Sequence, residues 1–301
     1  MKILIIGANG QVGSELMNIF KNTSHEVVGF TRHQLNCVNL YNMSSILTLV
    51  HPHIVINAAA YTAVDKAEEE VDLAFLVNKA FVSHLAYYCS ENKIFLIHLS
   101  TDYVFDGTNP KSYCETDVPN PQGVYAQSKF EGEQAILAQL KEHIILRVSW
   151  VFGVHGTNFV KTILNLASSK EQIKIVGDQW GRPTSARDIA RVILELVNKI
   201  SYTPFNNWGI YHYAGEGSTN WYDFARVFID LAKKQGLDPV LNSLININSE
   251  EYLTKVRRPK NSVLNTMKIE QKLGIKCHDW NRYLPEVIAN FISEKNTELS
   301  N

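Results

Sequence analysis

Positive charge is not in excess: 29 Lys and Arg stand against 30 Asp and Glu, a formal net charge of -1. No positive field is left over to hold a phosphate backbone, which excludes a general nucleic-acid binder. Cysteine is scarce and scattered. Cys37, Cys89, Cys114 and Cys277 form no Cys-x-x-Cys spacing, so neither a disulfide framework nor a cysteine metal site is expected and the compartment is a reducing one. No apolar run reaches the ~18 residues of a membrane span. The opening run 1–7 breaks into Gly and Asn without the basic start and cleavage site of a signal peptide. The expectation is a soluble cytoplasmic protein with neither a membrane nor a nucleic-acid partner. Internal repeats and low-complexity tracts are also missing. With 45% hydrophobic and 20% charged residues, the 301-residue chain is neither disordered nor fibrous, and it can bury a core as one large domain or a large and a small lobe.

What is present is an alternation of short apolar runs with longer helical patterns, the signature of a parallel sheet covered by helices. Strands are expected at 2–6, 26–31, 54–57, 94–100 and 144–148, each nearly all apolar, as for strands buried on both faces. Helices are expected at 12–20, 44–50, 73–92 and 125–140. After Trp150 loop signals at 153–157, 177–184 and 202–209 interrupt helices at 159–167 and 187–198, and further helices follow near 221–235 and 284–293. Strands in that part are few. The division expected is 1–151, with about 186–212, as a nucleotide-binding domain, and about 152–185 with 213–301 as a smaller lobe.

Gly7-Ala8-Asn9-Gly10-Gln11-Val12-Gly13 follows the first strand and opens the first helix. In that context glycines let the backbone approach a pyrophosphate, the helix N-terminus offers unpaired N–H groups, and the last glycine lets helix and strand pack closely. The end of the second strand is where an acid would hold a ribose 2'-hydroxyl and a base a 2'-phosphate. Thr31, Arg32 and His33 stand there, which favours NADPH, with NADH also accepted; a solvated surface role for Arg32 is the alternative. Tyr125-Ala126-Gln127-Ser128-Lys129 sets a phenol and an ammonium one turn apart on a helix face, and among the 13 tyrosines only Tyr125 has a lysine at that spacing. A neighbouring cation favours the phenolate, so the pair can trade a proton near neutral pH. Ser100-Thr101-Asp102 ends a buried strand where ligands collect in a parallel sheet, placing a hydroxyl for the same substrate oxygen.

These residues resemble the extended short-chain dehydrogenase/reductase superfamily and, within it, the dTDP-4-dehydrorhamnose reductase family. The likeness runs nearly end to end. It rests on Gly7 to Gly13, Asn57 to Glu68, Ser100 to Gly107 and Tyr125 to Lys129, and further on Arg147 to Trp150, Asn158-Phe159, Gly181 to Thr184 and Arg258-Pro259 with Ser262 and Leu264. The resemblance implies a Rossmann-type doubly wound parallel sheet with a smaller C-terminal α/β substrate lobe. It implies Thr101, Tyr125 and Lys129 as the catalytic set. Gly10, Gln11 and Val12 would cradle the cofactor phosphates, and Ala60, Tyr61, Thr62 and Leu99 would line the path beside ribose and nicotinamide. Thr101, Asp102 and Trp150 would contact substrate, with Asn158 and Arg258 as further candidates. The implied reaction is reduction of dTDP-4-dehydro-6-deoxy-L-mannose to dTDP-L-rhamnose by NAD(P)H. Tyr125 would give a proton to the forming alkoxide, Thr101 would hold that oxygen, and Lys129 would lower the tyrosine pKa and bind the nicotinamide ribose.

The chain departs from that family at two places. Many relatives carry acids where Thr31/Arg32 and Asn36 stand here, which moves the expectation away from NADH. Some members bridge a dimer with Mg2+ through glutamates; Glu15 matches one of these, but Arg187 precedes Asp188, so no metal is expected and monomer and homodimer stay equally open. Two other readings remain: a reductase of a different nucleotide 4-keto-6-deoxyhexose, and a non-catalytic dinucleotide-binding regulatory subunit, against which the intact trio argues. His51-Pro52-His53 reads as a turn before a strand rather than a metal site. Glu68-Glu69-Glu70 reads as a local run at a helix start, and Trp221, Tyr222 and Phe224 as core of the small lobe.

Overall fold

The apolar runs of the first half become strands because both of their faces are covered. Lys2–Ile6 (β1), Glu26–Phe30 (β2), Ile54–Asn57 (β3), Phe95–Thr101 (β4) and His143–Val148 (β5) lie side by side in a computed structural model, which describes residues 1–35, 37 and 39–300. A sixth strand, Gly209–Tyr213, pairs with β5, and the order is sixth strand, β5, β4, β3, β1, β2 with every pairing parallel. That strand falls where the sequence signals only a loop ending at 209. Its run, Gly-Ile-Tyr-His-Tyr, is short and interrupted by a histidine, so nothing local marks it as a sheet member.

Successive side chains of a strand point to opposite faces, and the core follows that period. Ile3 and Ile5 of β1 pack with Val12, Leu16 and Phe20 of the helix Gln11–Phe20 (α1) and with Ile189 and Ile193 of the helix Ala186–Tyr202. Leu4 and Ile6 face the other way, onto Phe81, Leu85 and Ile136. Rossmann-type layering is thus what the alternation of the sequence dictates. The helix expected over 73–92 is instead Val71–Phe75, a π-helical turn at Leu76–Ala80 and Phe81–Glu91. Hydrophobic periodicity does not distinguish one wide turn from an ordinary one.

A separate apolar cluster holds the smaller lobe, built on Val160, Leu164, Phe224, Phe228 and Ile288. Its helices Phe159–Ala167 and Trp221–Lys234 pack on a parallel pair of strands, Gln172–Val176 and Ser243–Ile247. Among the described residues no helix is long and apolar enough to cross a membrane.

Candidate active site

The strand order reverses between β1 and β3, and in an open parallel sheet the crevice beyond that point is where ligands bind. The loop after β1 is shaped by close contacts. Gly7 adopts φ 83°, and its N–H and that of Ala8 donate to the carbonyl of Phe30 at 2.9 and 3.0 Å. A Cβ on Gly13 would stand 2.0 Å from the Gly7 carbonyl oxygen, so only glycine lets α1 start this close to the strand. Gly10 caps α1 in extended conformation without a side-chain hydrogen bond, leaving the first helical N–H groups for a ligand.

A cavity of about 190 Å³ opens here, lined by Gly7, Gly10, Arg32, Ala60 and Tyr61 among others. Val12 and Gly13 are buried in the packing of α1 instead. Gln11 turns to the smaller lobe, where its Oε1 accepts from Asn158 Nδ2 at 3.2 Å. Thr62 is exposed and not part of the cavity wall. Thr31 donates its N–H and hydroxyl to Gln34 Oε1, both at 3.0 Å. Asn36 lies outside the described residues. Backbone nearness enforced by glycine, a free helix N-terminus and a guanidinium at the rim together fit a dinucleotide.

Thr101 ends β4 and Tyr125 lies in the helix Gly123–Gln139; both are buried, as are Asp102 and Lys129. Burial pushes the Tyr125 phenol well up; a hydrogen bond with Thr101 pulls it down, and Asp102 and Tyr103 push it up again. Lys129 is turned away toward β4. It donates to the Leu99 carbonyl at 2.7 Å and meets His98 Nε2 at 3.3 Å. Four residues of helix bring the phenol and the lysine to one face, while β4 decides where the lysine nitrogen points. Burial brings Lys129 itself down to about 8, with Glu133 acting in the opposite sense. A phenol kept protonated is what a proton donor needs.

Asp102 is almost wholly buried, and its Oδ2 has no hydrogen-bond partner among the described residues. Burial raises its carboxyl to about 7, against hydrogen bonds from Ser262 and Thr101 that lower it. The folded protein therefore holds a proton on Asp102 that the unfolded chain has released, and stability falls as pH rises between about 4 and 7. Asp102→Asn should flatten that window, the difference from wild type growing by up to about 1.4 kcal/mol per pH unit in urea unfolding. Parallel pH dependence in the two proteins would refute this account of Asp102.

The acidic run 68–70, which reads as local in sequence, reaches three separate elements. Glu68 Oε1 accepts from the N–H of Val124 at 2.6 Å, capping the helix that carries Tyr125, whose own Gln122 supplies no cap. Glu69 pairs with Lys255, and Glu70 accepts from the Tyr61 hydroxyl at 2.7 Å. Asn78, in the π turn, exchanges hydrogen bonds with the backbone of Tyr61 and donates to Ser128 Oγ at 3.0 Å. No spacing in the sequence announces these contacts, because each joins residues distant in the chain.

A second cavity, of about 550 Å³, is lined by Tyr103, Phe159, Lys170, Lys174, Trp221 and Arg258 among others. Arg258 Nη2 pairs with Asp65 Oδ2 at 2.5 Å and its Nη1 lies 3.3 Å from the Tyr103 hydroxyl, whose ring packs edge-on to Tyr125 at 5.8 Å. Trp221, with Tyr222, packs against the small-lobe cluster that contains Phe224, as the sequence reading has it. Trp221 also lines the cavity, and Trp150, at φ 47°, stacks on Trp221 at 3.5 Å with Gly181 against its ring. Asn158, the other substrate candidate of this lobe, is hydrogen-bonded within the protein. It caps the helix Phe159–Ala167 through Lys161 N–H and donates to Gly153 O and Gln11, so its polar atoms join the phosphate loop to the smaller lobe.

No group of three or more His, Cys, Asp or Glu among the described residues is placed to hold a metal. Near Glu15 the Arg187 guanidinium pairs with Glu286. His53 Nδ1 accepts from the N–H of Lys2 at 2.9 Å.

Comparison with known proteins agrees with this architecture. The profile of the RmlD substrate binding domain matches residues 1–293. The dTDP-4-dehydrorhamnose reductase of Aggregatibacter actinomycetemcomitans is 41% identical over 96% of this chain and 98% of its own length. The crystal structure of a dTDP-4-dehydrorhamnose reductase from Clostridium acetobutylicum superposes with a TM-score of 0.88 at 36% identity, covering 96% of this chain and 99% of that one. The Bacillus anthracis dTDP-4-dehydrorhamnose reductase, solved in complex with NADP, gives 0.87 at 31% identity over 97% of this chain and 99% of that one.

Proposed function

The chain belongs to the dTDP-4-dehydrorhamnose reductase family, and from that premise we propose that it reduces the C4 keto group of dTDP-4-dehydro-6-deoxy-L-mannose to dTDP-L-rhamnose with NADPH. The observation that carries this reading is the protonated Tyr125 phenol beside the Thr101 hydroxyl at the open end of β4. Residues 1–151 with about 186–212 would bind the dinucleotide, and about 152–185 with 213–301 would close over the sugar nucleotide. The protein would work in the cytoplasm.

When bound, NAD(P)H supplies the hydride that reduces C4. The backbone N–H groups at the start of α1 would bind its phosphates, and Ala60 and Tyr61 would border its ribose. Tyr125 would donate its proton to the C4 oxygen as negative charge develops there, and the Thr101 hydroxyl would donate a hydrogen bond to the same atom. Lys129 would leave the Leu99 carbonyl to hold ribose hydroxyls. Lys170, Lys174 and Arg258 would face the substrate diphosphate from the walls of the larger cavity, and Asp102 would bind a sugar hydroxyl through its unpartnered Oδ2. Burial of the site keeps water from the exchange. Proton NMR of the product tests the sugar assignment: the L-rhamno configuration supports it, and the C4 epimer contradicts it.

Preference for NADPH is read at Arg32, which lines the dinucleotide cavity from the end of β2 with no acid beside it in the adjoining Thr31 or His33. A charge-assisted contact to the 2'-phosphate contributes about 1.5–3 kcal/mol, so Arg32→Ala should weaken NADPH roughly 10- to 100-fold and NADH little. Equal losses for both, measured by fluorescence titration, would remove Arg32 from cofactor choice.

A further inference from the structure

Behind Lys129 runs a buried chain of polar groups that the reaction as described does not use. The N–H of Ala59 donates to Asn57 Oδ1 at 3.2 Å. A backbone N–H can only donate, so the atom it meets is the amide oxygen, and the Asn57 orientation is fixed. The Asn57 NH2 then lies 3.0 Å from His98 Nδ1 and can only donate to it. His98 is fully buried, and burial keeps it neutral. A neutral imidazole that accepts at Nδ1 carries its proton on Nε2. Nε2 lies 3.3 Å from Lys129 Nζ. Two donors would oppose each other there if the lysine were an ammonium; an amine nitrogen accepts.

We propose that His98, its tautomer fixed by Asn57, is a positioning residue that presents an N–H to Lys129 and favours the amine over the ammonium in the absence of cofactor. Protonation of Lys129 then requires His98 to move its own proton to Nδ1, against the Asn57 NH2, or the pair to separate. Lys129 becomes a cation at the cost of this contact, so ribose hydroxyls that accept from the ammonium release it from a frustrated partner. The other groups facing the pair are Glu133, one turn along the same helix, which favours the ammonium, and His143 at the start of β5, which acts on His98; Arg147 is tied to Glu133. The inference rests on the reductase reading only for the use made of Lys129.

Long-range proton–nitrogen correlation NMR of protein carrying labelled histidine reads the tautomer directly. At pH 9 the His98 imidazole is expected as Nε2–H, assigned by its loss in His98→Gln or by its contacts with Asn57. The Nδ1–H form overturns the proposal. In His98→Gln the side-chain amide can rotate to offer its oxygen to the ammonium, so the pH at which NADPH affinity breaks should move up by about one unit, a tenfold gain in proton affinity at Lys129. An unmoved break in the folded variant also overturns it; should that variant not fold, the wild-type tautomer decides alone. Neither measurement needs a sugar substrate. An enzyme inactive on the keto sugar but carrying the Nε2–H tautomer would sink the reductase reading and leave this one standing.

Discussion

Tyr125→Phe is expected to lose turnover by about 100-fold or more while NADPH binding stays nearly unchanged. The ring is retained, so its edge-on packing against Tyr103 survives and only the hydroxyl is lost. That hydroxyl is buried, protonated and beside Thr101, whose own hydroxyl donates to Asp102 Oδ1 at 3.2 Å. Single-turnover reduction with pre-bound cofactor separates the proton-transfer step from binding. Full activity in this variant would end the assignment of Tyr125 as proton donor.

The second large effect lies about two turns further along the same helix. Glu133 and Arg147 are buried and joined through two contacts, 2.9 Å from Nε and 2.6 Å from Nη2, and Ser100 donates to the same carboxylate at 2.5 Å. Removing one partner leaves an uncompensated buried charge. Glu133→Ala should therefore cost about 3–5 kcal/mol in urea unfolding, a large share of the roughly 5–15 kcal/mol that a folded protein has. A double replacement, Glu133→Leu with Arg147→Met, removes both charges at similar volume and should recover most of that loss. A double variant as unstable as the single would show that the pair is a net source of stability.

How far these features could be read in advance depended on whether they are local. Gly7 to Gly13 carries its own geometry, since the turn, the helix start and the glycine packing all lie within seven residues. The nearly all-apolar strands carry theirs, because burial on both faces leaves little alternation to misread. Tyr125 and Lys129 share a helix face, which the spacing gives; that Lys129 is drawn to Leu99 and His98 belongs to β4, thirty residues earlier. Arg147 looks in sequence like one member of a motif, and its partner Glu133 like one more helix acid. The stacking of Trp150 on Trp221 goes with the left-handed backbone at Trp150 and the fit of its ring against Gly181, neither of which composition reveals. Glu68 capping a distant helix is likewise invisible until the fold brings the end of the short helix Val64–Ala67 to the start of that one.

The central claim is a reduction that needs a specific keto sugar. The direct measurement follows nicotinamide oxidation by the purified protein, with NADPH and NADH in parallel, on substrate made in situ from dTDP-glucose by the upstream dehydratase and epimerase. The account predicts turnover only when the epimerase is present, faster with NADPH. Oxidation that is indifferent to the epimerase, or no turnover with either cofactor despite NADPH binding, would contradict it.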